Sequence, residues 1–139
     1  MTAHCSDSLS HPSPGHLSNI DFEAEVKPCN LKPGVTATHT TKINNQRTGA
    51  VHNIEICVRP MNNGVILNGN PSLTEYKHGI PILRSGKPWS HKVPIEQRTQ
   101  NIPNDAIETA VTLIDSTQIT NPGGGTPEAA SLSFTVDIS

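Results

Sequence analysis

The sequence predicts an all-β fold, an immunoglobulin-like two-sheet β-sandwich of about seven short strands. Three observations support this prediction. Apolar and polar residues alternate in several short runs, the segments between the runs are rich in Pro, Gly, Asn, Ser and Thr, and no stretch shows a helical period. Because only 3% of the residues are aromatic, the core must consist mainly of Val, Ile, Leu and Ala. The 139 residues fit one domain.

The chain divides into two predicted parts. Residues 1–16 are polar and rich in Pro and Ser, and they predict a flexible N-terminal arm, whereas residues 17–139 predict the β-sandwich domain. The arm has no apolar segment of the kind found in a signal peptide. The protein is therefore expected to be either not secreted or a mature form that carries a start Met.

The first predicted strand covers residues 20–26. It places Ile20, Phe22, Ala24 and Val26 on one face and three carboxylates on the other. Further strands are predicted over residues 35–43, 51–58, 65–67, 89–95, 107–114 and 132–138. These runs carry the same alternation or are short apolar segments bounded by turn residues.

Three other segments are interpreted from their Pro and Gly residues. Ile80 to Leu83 is interrupted by Pro81, which predicts an edge strand at best. Asn63-Gly64 predicts a tight turn, because both residues tolerate a positive φ. Asn121 to Thr126 contains three consecutive glycines and predicts a mobile loop without the Lys-Ser/Thr of a phosphate site.

Composition argues against several function classes. The net charge is −2 and no Lys or Arg cluster is present, so no nucleic-acid partner is predicted. No apolar run approaches the roughly 20 residues of a membrane helix, so the chain is not expected to be transmembrane. The spacings of the seven His and three Cys match no metal-ligand set, and neither a metal nor a cofactor is predicted.

No catalytic centre is predicted either. The most obvious nucleophile–base pair is Cys57 with His52. These residues are five positions apart on one predicted strand, so their side chains point to opposite faces and do not meet. The sequence therefore predicts a protein that is not an enzyme.

Three segments together resemble the MD-2-related lipid-recognition family. Ile20 to Gly34 is similar to the family's strand, Pro-Cys step and Lys-Pro-Gly turn, with Pro-Cys at residues 28–29 and Lys-Pro-Gly at residues 32–34. Lys87 to Leu113 resembles the family's strand, Ile-Pro turn and strand. Ser131 to Ile138 resembles the family's last strand, and Cys5 lies where the family usually has its first cysteine.

The resemblance implies a lipid-binding or lipid-transfer module that holds a sterol, an acyl chain or a similar apolar ligand between the two sheets. It also implies a secreted protein or one of the endolysosomal lumen. The family's disulfide from the first cysteine to the last strand would fall here on Ser131. The residues expected to line the ligand are Ile54, Ile56, Val58, Val65, Leu67, Trp89, Val93, Val111 and Leu113.

Two alternatives stay open at this point. Each of the nine lining residues is equally compatible with an ordinary close-packed core, and Trp89 fits either a core position or the mouth of a cavity. The second function is a structural or adhesive interaction module with a protein partner and no small ligand. The N-terminal arm and the strongly apolar last strand favour it, because either could pair with the sheet edge of a neighbour.

Overall fold

The fold was analysed on a computed structural model, which describes residues 5–9, 19–98, 101–114 and 128–139, with only the backbone of Leu9. The described residues form ten β-strands and no helix. The strands are β1 (Ser6–Leu9), β2 (Ile20–Lys27), β3 (Asn30–Leu31), β4 (Ala37–Asn45), β5 (Val51–Pro60), β6 (Val65–Leu67), β7 (Tyr76–Leu83), β8 (Pro88–Gln97), β9 (Asn104–Leu113) and β10 (Glu128–Ile138).

The strands form two five-stranded sheets. Sheet A has the order β1-β2-β4-β8-β6, and sheet B has the order β3-β10-β9-β5-β7. Neighbouring strands are antiparallel, except that β3 runs parallel to β10. Because consecutive strands repeatedly change sheets, the turns between them link the two layers of the sandwich. The predicted all-β, two-sheet class is confirmed.

The predicted strands correspond to β2, β4, β5, β6, β8, β9 and β10, with ends that differ by up to four residues. The segment with Pro81 belongs to β7, which begins earlier, at Tyr76, and lies at the edge of sheet B as expected. Two strands were not predicted, because β1 has four residues and β3 only two. Segments this short do not display a readable alternation.

Part of the predicted arm is ordered as a strand. Within residues 1–16, Ser6–Leu9 forms β1 and pairs with β2. Residues 1–4 and 10–18 lie outside the described part of the chain, as does the Gly-rich segment 121–126. The flexible arm and the mobile loop therefore stay predictions.

One apolar core lies between the sheets. The burial of β2 alternates residue by residue, so that Ile20, Phe22, Ala24 and Val26 are at most 2% exposed, as the alternation predicted. Inward residues of the other strands join them in a single cluster. Each fully buried Val, Leu, Ile or Phe contributes about 1.5–3 kcal/mol relative to its exposed state, so this layer is the main stabilising feature of the fold.

A buried carboxylate organises one end of the sandwich. Asp105, 0% exposed, accepts backbone N–H bonds from Asn62 at 2.9 Å and Gly64 at 2.8 Å. The intervening Asn63 has φ 58°, in agreement with the predicted tight turn. A Cβ atom on Gly64 would lie 2.8 Å from the terminal side-chain carbons of Ile102 and Ile138, so a larger residue here would have to displace these side chains.

Candidate functional site

Four ring side chains meet at one edge of the sandwich. Tyr76 and His78 are two residues apart on β7, and Trp89 and His91 are two residues apart on β8, so each pair shares one face of its strand. The two strands belong to different sheets, and both pairs point toward the opposite sheet. We call these four side chains the ring cluster and the edge formed by β7 and β8 the ring edge.

The rings of the cluster lie nearly parallel. The His78 and His91 rings stack at a centroid distance of 3.7 Å and an angle of 12°. Trp89 lies 5.8 Å from His78 and 5.9 Å from His91, again with nearly parallel planes. The Tyr76 hydroxyl is hydrogen-bonded to Nε2 of His91 at 2.9 Å. All four side chains are half-buried, so the cluster separates the core from solvent along this edge.

One of the two stacked imidazoles, that of His91, resists protonation. Partial burial, and then the nearby His78, lower the pKa of His91 below its ordinary value. Two unit charges about 4 Å apart repel by roughly 4 kcal/mol at the effective dielectric constant of a protein surface. Two positive charges in the stack would therefore weaken it.

A third histidine lies deeper behind the ring cluster. His39 on β4 is 0% exposed, and its Nε2 lies 3.0 Å from Oγ1 of Thr109 on the facing β9. Its ring also stacks on Phe134 at 6.2 Å. Nδ1 of His39 has no hydrogen-bond partner in any other described residue, although the ring also interacts with the backbone of His39 itself. Burial lowers the pKa of His39 to about 4, so the ring is neutral at neutral pH.

The structure places the nine predicted lining residues on four strands around this region, β5, β6, β8 and β9. Eight of them belong to the common core and are at most 2% exposed: Ile54, Ile56, Val58, Val65, Leu67, Val93, Val111 and Leu113. The ninth, Trp89, is half-buried and packs against the core from the ring edge. Since the accessible surface of these eight side chains is almost zero, they are packed as an ordinary core. That they line a ligand site stays a prediction.

Sequence reasoning missed the histidines of this site, although the alternation carried a signal for them. His91 shares the inward face of Trp89, and His39 shares the inward face of Ala37. A polar residue at an inward position of a strand was the available clue. Nothing in the sequence indicates that His78 and His91 stack, because their strands lie in different sheets.

Other chemistry finds little support in the described part of the chain. His52 is exposed on β5, whereas Cys57 donates to Oε2 of Glu75 at 3.3 Å. No group of three or more His, Cys, Asp or Glu side chains that could hold a metal ion occurs among the described residues. Within the same residues, no helix has the length and apolar character needed to cross a membrane.

Comparison with protein-family models gives no match, and comparison with curated proteins gives no significant match. The resemblance to the MD-2-related lipid-recognition family therefore stays a prediction that rests on the three sequence segments.

Proposed function

We propose that the protein is a non-enzymatic module that binds an apolar ligand, such as an acyl chain or a sterol, between its two sheets and admits it at the ring edge. One observation carries the proposal. Strands β7 and β8 are joined by contacts between half-buried side chains and not by a backbone ladder. An almost entirely aliphatic layer lies directly behind these side chains. No backbone ladder between β7 and β8 has to break for this edge to open.

The energies involved are compatible with opening. Each aromatic stacking contact contributes about 0.5–1.5 kcal/mol. The hydrogen bond between Tyr76 and His91 contributes a similar amount. A buried methylene of a ligand contributes about 0.8 kcal/mol, so ten of them supply roughly 8 kcal/mol. The free energy gained by burying an acyl chain can thus offset the loss of the ring contacts. The chain also replaces the contacts between aliphatic side chains that are lost when the sheets separate.

His39 supplies a polar anchor for such a ligand. A buried nitrogen without a hydrogen-bond partner is costly, and in most proteins a neighbouring group or a water molecule satisfies it. A hydroxyl group can donate and accept, so the hydroxyl of a sterol or the acid group of a protonated fatty acid satisfies Nδ1 in either tautomer. The register places His39 opposite Val93 and Thr41 opposite His91, so the anchor lies one inward position beyond the ring cluster.

The chain carries its own reporter for this proposal. Trp89 is the only tryptophan, and it lies at the proposed opening. Delipidated protein titrated with a fatty acid brominated along its chain should show saturable quenching of the Trp89 fluorescence. A short brominated acid at the same concentration controls for collisional quenching. Native mass spectrometry of protein from a eukaryotic host, followed by organic extraction, should show a stoichiometric lipid adduct.

A pair of histidine variants tests the route. His78→Ala removes the closest stacking contact of the ring cluster and should accelerate uptake of the brominated acid. His52→Ala changes an exposed histidine of the neighbouring strand and should leave uptake unchanged. A clean apo mass together with the absence of saturable quenching would contradict lipid binding.

The alternative is the interaction module. It is favoured by an open groove of about 320 Å³ lined by Asn53, Ile54, Gly79, Ile80, Pro81 and Ile114. Ile82 and Ile114 are also 37% and 47% exposed. Pairing through strand edges has less support. Three edge strands have four residues or fewer, and the fourth, β7, contains Lys77 and Pro81, which protect an edge. The same native mass spectrum distinguishes an oligomer from a lipid adduct.

A further inference from the structure

Two cysteines meet at the opposite edge of the sandwich. Strand β1 pairs with β2 with Ser6 opposite Glu25, and the N–H of Val26 donates to the carbonyl of Cys5 at 2.8 Å. Cys5 therefore lies beside the end of β2. Cys29 lies in the short connection between the end of β2 and β3. The fold brings the two residues together although they are far apart in sequence.

The contact involves the two thiols themselves. The side chains of Cys5 and Cys29 are hydrogen-bonded to each other, and both are half-buried. Cys5 also packs against the apolar core, and the carbonyl of Cys29 accepts the N–H of Asp137 on β10 at 3.2 Å. Both cysteines are thus held by backbone bonds to neighbouring strands, which fixes the thiols in contact.

The third cysteine is held elsewhere. Cys57 lies on β5 of sheet B, where its thiol donates to Glu75 and its neighbours across the ladders are Lys77 and Ala110. It therefore serves as a matched control, because it is a half-buried thiol with a different partner.

We propose that Cys5 and Cys29 form an intramolecular disulfide when the chain meets a low-molecular-weight disulfide oxidant such as oxidised glutathione. One protein thiolate attacks the oxidant, which forms a mixed disulfide and releases one glutathione thiolate. The second protein thiolate attacks the mixed disulfide, which forms the Cys5–Cys29 bond and releases the second glutathione. The two protein thiols lose two electrons and two protons, and the oxidant is reduced to two thiols.

The Cys29 thiol reacts slowly even with such an oxidant. Burial raises the pKa of Cys29 to about 12, assisted by the hydrogen bond with Cys5, the charge of Cys5 and the charge of Asp137. Since the thiolate is the nucleophile, little of Cys29 is reactive at neutral pH. This pairing also differs from the one that the family resemblance implies, which has Ser131 at its second position.

The disulfide would cross-link the edges of the two sheets. It joins the edge strand β1 of sheet A to the segment that leads into the edge strand β3 of sheet B. The closed loop has roughly 25 residues, for which loop-closure entropy and the usual entropy of unfolding of a domain this size predict an increase of about 10 °C in Tm.

The test uses the full chain equilibrated with oxidised and reduced glutathione, alkylated and digested without reduction by an endoproteinase that cuts after glutamate. Cleavage after Glu23 and Glu25 places the two cysteines on different peptides. The disulfide therefore joins two peptides that are separate in the digest of the reduced protein. We expect this joined pair in wild type and in Cys57→Ser, and its loss in Cys5→Ser and in Cys29→Ser. Wild-type Tm should be higher in the oxidised than in the reduced form, a comparison that needs no variant.

Three outcomes would overturn the proposal. They are a cross-link that contains Cys57, a stable glutathione adduct on Cys5 without the intramolecular bond, and unmodified Cys5 and Cys29 in the oxidising buffer. None of these outcomes bears on lipid binding, which is measured at the other edge of the sandwich.

Discussion

The two edges of the sandwich close in different ways. At the ring edge, β7 and β8 are held by four half-buried rings, two of which are stacked imidazoles. At the edge formed by β1 and β3, which we call the thiol edge, the thiols of Cys5 and Cys29 are in contact. Ring stacking is reversible and weakens with protonation, whereas a disulfide is covalent and does not titrate. In the proposed mechanism the ring edge is therefore the side that opens, and the thiol edge is the side that would stay closed.

The same aliphatic layer lies behind both edges. It runs from Ile20 and Val26 on β2 to Ile56 on β5 and Val93 on β8. The layer supplies most of the stability, while the edges decide where the sheets separate first. Experiments that change the layer should therefore have larger effects than experiments that change either edge.

The largest effect is expected in the layer itself. Ile56 is 1% exposed and lies between Val111 and His78 in sheet B. Ile56→Ala should lower the free energy of unfolding by about 2–5 kcal/mol, because it removes buried methyl groups and leaves a cavity. Urea denaturation measures the change. Ile82→Ala, at an exposed position of the neighbouring strand, should change stability by less than about 0.5 kcal/mol. Equal losses in both variants would show that the layer is not the dominant feature.

Acid should destabilise the sandwich through the buried His39. The pKa of His39 is lowered from 6.5 to about 4, so between these values the unfolded state binds the proton and the folded state does not. Stability is therefore complete above about pH 6.5 and falls as the pH approaches 4. At 1.36 kcal/mol per pKa unit, the loss is about 3 kcal/mol.

His39→Phe provides the matched comparison for this acid effect. The variant keeps an aromatic ring against Phe134 but has no titratable group. It should flatten most of the pH dependence in urea denaturation between about pH 6.5 and 4. An unchanged slope in the variant would assign the acid sensitivity to another group.

A smaller, local effect should distinguish the two edges. The pKa of His91 is lowered by burial and by His78, so the open state of the ring edge binds a proton more readily than the closed state. As the pH falls below the ordinary His value, the amides of β7 and β8 should exchange hydrogen several-fold faster, after correction for intrinsic rates. The amides of β1 and β2 should change less.

His91→Phe sharpens this comparison. It keeps a ring against His78 and Trp89 and removes the titratable group of His91. Acid should then no longer accelerate exchange at the ring edge. If both edges of the wild type accelerate equally, the ring edge is not the preferred opening.

The smallest effect is expected for one hydroxyl group. Tyr76→Phe removes the 2.9 Å hydrogen bond to His91 and keeps the ring. Because His91 is half-buried, water can replace the lost partner, and stability should fall by no more than about 1 kcal/mol. Chemical denaturation gives the stability, and hydrogen exchange of β8 shows whether the loss is confined to the ring edge. A loss as large as that of Ile56→Ala would mean that the ring edge, and not the layer, holds the sheets together.

The sequence alone determined which residues face inward and where the chain turns. Alternation placed Ile20, Phe22, Ala24 and Val26 on the buried face of β2, and Pro81 identified an edge strand. These features are local, because the period of a strand and the φ preference of a turn residue depend on neighbours in sequence.

Only the tertiary structure decided which strands oppose one another across the core. Alternation places His91 on the same face of its strand as Trp89, but it does not indicate that β7 and β8 meet at one edge with their rings stacked. The contact of Cys5 with Cys29 likewise depends on the pairing of β1 with β2. Both contacts are set by how two twisted sheets pack, and that packing is a property of the whole chain that no local pattern encodes.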